Sequence, residues 1–256
     1  MMFPIRDENP QINIPYVTYA FITLNVLAWL GLQGMGAEPA LSQSICQFGL
    51  IPADLTGQEF VRARPVCVID GNPDWHSLLS SIFMHGSWMH LIGNMWFLWI
   101  FGNNVEDSMG SVRFAIFYLL SGIAASASQL VADVGSVVPM VGASGAIGGV
   151  MGAYIVLYPR VHVHMFFLFR TFAIPAIVML GYWIVMQLLG GFSSMGNTGG
   201  GVAFWAHIGG FLAGMGLILV FKDEELLAKH PYRGWKQSSH RETVWQKVPT
   251  RKGGWH

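Results

Sequence analysis

From Thr171 to Phe221 the chain carries no Asp, Glu, Lys or Arg, and no other feature constrains its fold as much. About 20 mostly apolar residues cross the ~30 Å hydrocarbon core of a bilayer as a helix, so this run is too long for one crossing. The stretch GGFSSMGNTGGG (190–201) divides it in two, because clustered glycine and serine break helices. Four further charge-free stretches precede it: Asn9 to Ala37 (apolar part Tyr16 to Leu32), Trp75 to Val105, Phe114 to Ala132 and Val134 to Pro159. Isolated strands cannot span lipid, so the pattern predicts an all-α, polytopic membrane protein built as a bundle of six transmembrane helices. Composition agrees. Only 11% of residues are charged and 53% are hydrophobic, against roughly 25% charged in soluble domains. Fourteen basic residues cancel fourteen acidic ones, so no global field draws in nucleic acid.

The first stretch reads as a retained helix, not a cleaved signal, because Asp7 and Glu8 precede it and no A-x-A-like site follows. Basic residues set the orientation. With the N-terminus inside, every Lys and Arg except Arg62 and Arg64 falls on the cytoplasmic side. Both termini are then cytoplasmic, in a plasma or bacterial inner membrane. The chain divides into an N-terminal segment (1–15), a six-helix core (16–221) with one large outer loop (33–74), and a tail (222–256) whose bases and tryptophans Trp235, Trp245 and Trp255 suit a solvated segment brushing anionic lipid. The outer loop holds both cysteines, Cys46 and Cys67, on the side where disulfides persist. They either pair and restrain the loop or stay as two free thiols.

Polar groups inside membrane spans are costly, and each is a functional candidate by default. The second span contains His85, His90 and Asn94 in MHGSWMHLIGN (84–94). His90 and Asn94 lie four apart and share a helical face, whereas His85 points elsewhere. A two-histidine metal site on one helix needs i, i+4 spacing; the spacing here is i, i+5, so neither metal nor cofactor is expected. The fourth span opens with VGASGAIGGVMGAY (141–154), in which Gly145, Gly149 and Ala153 form a small-residue packing face. Packing leaves Ser144 unexplained: its hydroxyl is unobstructed and stands near free N–H groups at a helix start, where developing negative charge is favoured. The sixth span carries AHIGGFLAGMG (206–216), with His207 some ten residues from the helix start and Gly210 and Gly214 one turn below as a G-x-x-x-G. Spans two, four and six all run from outside to inside, which puts His85, His90, Ser144 and His207 in the outer half at one depth. Serine and histidine with no matching carboxylate read as a dyad for acyl transfer. Asp133 is the nearest acid and carries little weight.

On these residues the chain resembles the rhomboid family of intramembrane serine proteases over about Tyr16 to Phe221. The carrying motifs are H-x-x-x-x-H-x-x-x-N (His85, His90, Asn94), G-x-S-G (Gly142, Ser144, Gly145) and A-H-x-x-G-x-x-x-G (Ala206, His207, Gly210, Gly214). The resemblance implies Ser144 as nucleophile and His207 as general base. It also implies an oxyanion hole of His90, Asn94 and the Ser144 N–H, with His85 as a structural residue beneath the outer loop. Glu106 in GNNVEDSMG (102–110) matches the family's acidic position after helix two. Two features depart from the family pattern. Gly148 stands where relatives often carry an aromatic residue that stacks on the base, and the outer loop's Trp-Arg pair survives only loosely as Trp75-His76.

The implied substrate is another protein's transmembrane helix, which must unwind before attack; Gly, Ala or Pro near the outer interface lowers that cost. Pro175 is read as a kink in the fifth span, either plainly structural or loosening that helix as a lateral gate. Two other classes compete: an inactive rhomboid-like factor that binds or escorts membrane clients, and a small-solute channel using the histidines. The first would lack the serine or the histidine. The second would need ionisable groups in the inner halves of spans two, four and six, where there are none.

Overall fold

The computed structural model describes residues 3–57, 67–69, 72–194 and 201–233. In chain order the elements are β1 (Phe3–Asp7), α1 (Tyr16–Gly31), α2 (Ala40–Phe48), α3 (Pro52–Thr56), α4 (Ser77–Ser80), α5 (Trp88–Met109), α6 (Ser111–Ala132), α7 (Ser144–Leu157), β2 (His162–Phe167), β3 (Arg170–Pro175), α8 (Ala176–Ser194), α9 (Phe204–Phe221) and α10 (Glu224–Leu227). The protein is mostly helical. Three helices, α6, α8 and α9, are long and apolar enough to cross a membrane, while α1 and α7 are apolar but shorter. The 22 residues of α5 are long enough, but Asn103, Asn104, Glu106 and Asp107 make its last turns polar.

The centre of the bundle is α7, buried along nearly its whole length between α9, α6 and α5. Small residues explain the burial. A Cβ added at Gly210 would lie 2.0 Å from the Gly145 carbonyl oxygen, and one at Gly214 would lie 2.0 Å from that of Gly149. The α7 and α9 backbones touch there, which only glycine permits. Around this seam Phe101, Phe114, Phe117, Tyr118, Tyr154 and Tyr158 are fully enclosed. The opposite faces of the outer helices show Leu24 and Leu27 on α1, and Val178, Tyr182, Val185, Leu189 and Phe192 on α8. An apolar exterior over a packed interior is what lipid as solvent allows.

Several sequence expectations are corrected. The fold is not all-α: β1, β2 and β3 form a three-stranded antiparallel sheet, with Phe3 opposite Phe166, Asp7 opposite Val163, and His162 opposite Pro175. Pro175 therefore ends β3 and kinks no helix, since α8 begins at Ala176. The second span is interrupted before α5. Short helical turns over Ser77–Phe83 give way to an extended Met84, and Ser87 caps α5 by accepting from the His90 N–H at 3.1 Å. His85 thus precedes the helix. The fourth span starts late, at Ser144, because Leu50 and Met140 pair as an isolated β-bridge and keep the chain ahead of it extended. The break at 190–201 also starts late: α8 continues through Gly190 and Gly191 to Ser194, and Gly190 is where the Phe204 ring of α9 presses in.

Both flanks are folded onto the bundle. The Trp96 indole donates to the Pro4 carbonyl at 2.7 Å, and the Asp223 N–H donates to the Ser108 carbonyl at 2.8 Å. In the segment between α1 and α4, Cys46 and Cys67 are disulfide-bonded, so the paired alternative holds. Arg62, Arg64 and the tail tryptophans lie outside the described residues.

Candidate active site

Ser144 is placed by the chain before it. The Leu50–Met140 bridge is a reciprocal pair of hydrogen bonds at 2.9 and 2.7 Å, and the Gly142 N–H donates to the Ser81 carbonyl at 2.9 Å. Gly142 has φ 128°, a backbone that side chains disfavour, and it turns the chain straight into α7. Ser144 is the first residue of that helix, where the N–H groups have no partner within the helix.

His207 lies in the first turn of α9, nearer the helix start than the sequence suggested. Its Nε2 is 2.7 Å from Ser144 Oγ. The α7–α9 seam sets this distance, since Gly145 and Gly210 touch immediately below the pair. The other ring nitrogen, Nδ1, is 2.8 Å from Gln187 Oε1 on α8, and the Trp183 ring lies 5.8 Å from the imidazole. Sequence reasoning missed both α8 residues. The signal existed for Gln187, an amide in an otherwise apolar helix, and the rule that singled out the histidines should have singled it out too. Gly148 leaves no slot for a ring: a Cβ there would sit 3.0 Å from the His207 carbonyl oxygen.

His90 and Asn94 stand against Gly142, two residues before Ser144. A Cβ on Gly142 would meet His90 Nε2 at 2.7 Å and Asn94 Nδ2 at 3.6 Å, so both groups face that backbone. The Gly86 N–H donates to His90 Nδ1 at 3.4 Å, which makes Nε2 the protonated nitrogen and a donor. Asn94 Nδ2 is buried without a hydrogen-bond partner, a condition that costs about 1–3 kcal/mol unless something else accepts from it. Two donors therefore converge on the Gly142 backbone, two residues before Ser144. His85 is held through its backbone: its N–H donates to Gln33 Oε1 at 2.8 Å and its carbonyl accepts from Gln33 Nε2 at 2.7 Å. Its ring stands edge-on to His90 with centroids 5.1 Å apart.

Glu106 is not at this site. It sits in the last turns of α5, about 24 Å along the helix from His90. There it accepts from the Val17 and Thr18 N–H groups, the Thr18 hydroxyl and the Ser111 hydroxyl at 2.6–3.0 Å. It fastens the start of α1 to the α5–α6 corner. Beside Ser144 a narrow, partly open cleft of about 20 Å³, room for about one water molecule, is walled by Gly122, Ala125, Ser126, Gly142, Gly145 and Ala206 among others. Among the described residues no three His, Cys, Asp or Glu side chains cluster as a metal site requires.

A model of the rhomboid domain matches residues 72–224. The chain is 33% identical over 202 residues to rhomboid protease GluP of Bacillus subtilis, covering 78% of this chain and 34% of that protein. It is 31% identical over 145 residues to the mitochondrial rhomboid protein 1 of Saccharomyces cerevisiae, covering 54% of this chain and 40% of that one. It is also 31% identical over 165 residues to the mitochondrial presenilin-associated rhomboid-like protein of Mus musculus, covering 59% and 41% respectively. The chain thus spans between about a third and a half of the length of these relatives.

Proposed function

This chain belongs to the rhomboid family, and we propose that it is an intramembrane serine endopeptidase that cleaves other membrane proteins in or near their transmembrane helices. The observation that carries the reading is the 2.7 Å contact between Ser144 Oγ and His207 Nε2 beneath the outer loop. Ser144 attacks the scissile carbonyl as Nε2 takes its proton. The tetrahedral oxygen is held by the Ser144 N–H, His90 Nε2–H and Asn94 Nδ2–H, and each such donor contributes roughly 3–4 kcal/mol in comparable proteases. The unpartnered Asn94 amide supports this role, because a substrate oxygen would supply the acceptor it lacks. His207 then returns the proton to the leaving amine, and water entering by the open cleft hydrolyses the acyl-enzyme with His207 again as base.

The same reading covers six crossings of the bilayer by α1, α5, α6, α7, α8 and α9, with both termini cytoplasmic and residues 16–221 as the catalytic core. Gly142, Gly145, Gly210 and Gly214 serve close backbone approach, and His85 braces His90. The small walls of the cleft suit a small substrate side chain beside the cut. A helical substrate must unwind to enter, which favours segments with glycine, alanine or proline near the outer surface.

The test uses the purified full chain in liposomes with a model transmembrane substrate and a fluorophosphonate probe. Wild type should cleave and be labelled at Ser144. Ser144→Ala should lose both and keep its thermal midpoint, since the exchange removes a single hydroxyl. Undiminished cleavage by Ser144→Ala, or labelling at another residue, would falsify the assignment.

A further inference from the structure

We propose that Gln187 is a positioning residue for the reaction, an uncharged third member that fixes His207 as the base and is carried on α8. The inference rests on the serine-protease reading of Ser144 and His207.

A histidine acts as base toward a serine only in one tautomer: the nitrogen facing the hydroxyl must be bare, so the other must carry the proton. Here Nε2 faces Ser144 and Nδ1 faces Gln187 Oε1 at 2.8 Å. An amide oxygen only accepts, so this contact requires Nδ1–H and leaves Nε2 bare. A flipped amide would present its NH2 to Nδ1 and favour the unreactive tautomer. The other end of the amide opposes the flip: Gln187 Nε2 donates to the Trp183 carbonyl at 3.4 Å, one turn back on the same helix. After a flip, two oxygens would face each other there.

The chemistry of the site explains an amide where a carboxylate would also accept. Gln187 is buried, and an ionised side chain within a membrane span is costly. An amide orients the imidazole without that penalty. Trp183 belongs to the same device: its ring lies 5.8 Å from His207 and 5.9 Å from Phe211, which limits imidazole rotation about the hydrogen bond. Both contacts come from α8, whose apolar window is the least buried of the three long apolar helices at 22%, against 39% and 33%. Alignment of the base therefore depends on whether α8 is seated against α9.

The experiment compares wild type, Gln187→Met, Gln187→Leu and Gln187→Glu as full chains in liposomes, with kcat, KM and the fluorophosphonate labelling rate normalised to folded protein by thermal unfolding. Methionine keeps length and removes the acceptor. Its kcat and labelling rate should fall together by ten- to a hundredfold with KM within about twofold, and leucine should behave alike. Glutamate restores an acceptor oxygen and should recover most of the loss. Unchanged kcat in both apolar variants, a rise in KM with kcat preserved, or a glutamate variant as slow as methionine would each overturn the proposal. If one apolar variant does not fold, the other decides. Ser144→Ala and His207→Ala run alongside: cleavage persisting in them defeats the protease reading itself, whereas their inactivity with a normal Gln187→Met defeats only this inference.

Discussion

Replacing Gly210 with alanine tests the link between helix packing and the Ser144–His207 contact on which the proposed chemistry depends. The added Cβ would lie 2.0 Å from the Gly145 carbonyl oxygen and 3.4 Å from the Ala125 Cβ, whereas real Cβ contacts essentially never fall under 3.0 Å. The α7 and α9 backbones must therefore separate by at least about 1 Å at this level. Gly145 adjoins Ser144, and Gly210 lies one turn below His207, so most of that displacement reaches the 2.7 Å contact between them. A misplacement of about 1 Å costs on the order of a hundredfold in rate, and overpacking of this kind costs about 1–3 kcal/mol of stability. Labelling by a fluorophosphonate and cleavage of a model substrate should both slow by that factor, with a lower thermal midpoint. Gly216→Ala is the control on the same helix, where an added Cβ meets nothing within 4 Å; it should be neutral or slightly stabilising, because alanine is the better helix former. If Gly210→Ala keeps both the labelling rate and the thermal midpoint, the helices have slack and the glycine seam does not set the geometry.

Two further outcomes follow from groups outside the helices that hold the site. Burial pushes the Asp7 carboxyl up to about 7, against the lowering effect of its hydrogen bond from the Tyr154 hydroxyl, while in an unfolded chain it would titrate near 3.8. Between those values the folded protein holds a proton that the unfolded chain has released, so this contribution is fully present below about pH 4 and is lost as pH rises to about 7, an effect on the order of 4 kcal/mol. The wild-type thermal midpoint should fall over that interval relative to Asp7→Asn, and parallel profiles would refute the argument. Breaking the Cys46–Cys67 bond, which spans 21 residues, should cost about 3 kcal/mol by the loop-closure relation. Thermal unfolding of the Cys46→Ser/Cys67→Ser chain against oxidised wild type measures this, and an unchanged midpoint would mean that the loop opens independently of the bundle.

The proximity of Ser144, His207, His90 and Asn94 was legible because membrane topology adds long-range information that single motifs lack. The sequence reading runs three spans in one direction, each with its polar residues in the same half, and so expects those residues at one depth. The glycines of α7 and α9 then argue for contact, since they serve no purpose on a lipid-facing surface. The β2–β3 hairpin was hidden for a local reason. Its two-residue turn is Leu168-Phe169, both with positive φ (43° and 65°), where asparagine and glycine are the usual signal. Its second strand, β3, also merges with the charge-free stretch that begins at Thr171. The late start of α7 was hidden for a non-local one: the chain ahead of Ser144 is extended because Met140 pairs with Leu50, ninety residues away in sequence.

The support of His207 shows most clearly where sequence reading stops and why. Gly148 removes the ring expected four residues after Ser144, and the sequence alone leaves open whether that space is empty, filled by a side chain or closed by a backbone. Two of these are true at once. The α9 backbone closes on Gly148 from below, with the His207 carbonyl 3.0 Å from where its Cβ would be, and Trp183 approaches the imidazole from α8. The aromatic neighbour of His207 thus stands on α8 and not on the helix of Ser144, and Gln187 comes with it, one turn further along the same face. The consequence is mechanical. With that partner on α7, His207 would be braced by the same rigid seam that positions Ser144. With both braces on α8, Ser144 stays fixed by the glycine contacts and the Leu50–Met140 bridge, while the orientation of the His207 ring follows the least buried of the three long apolar helices.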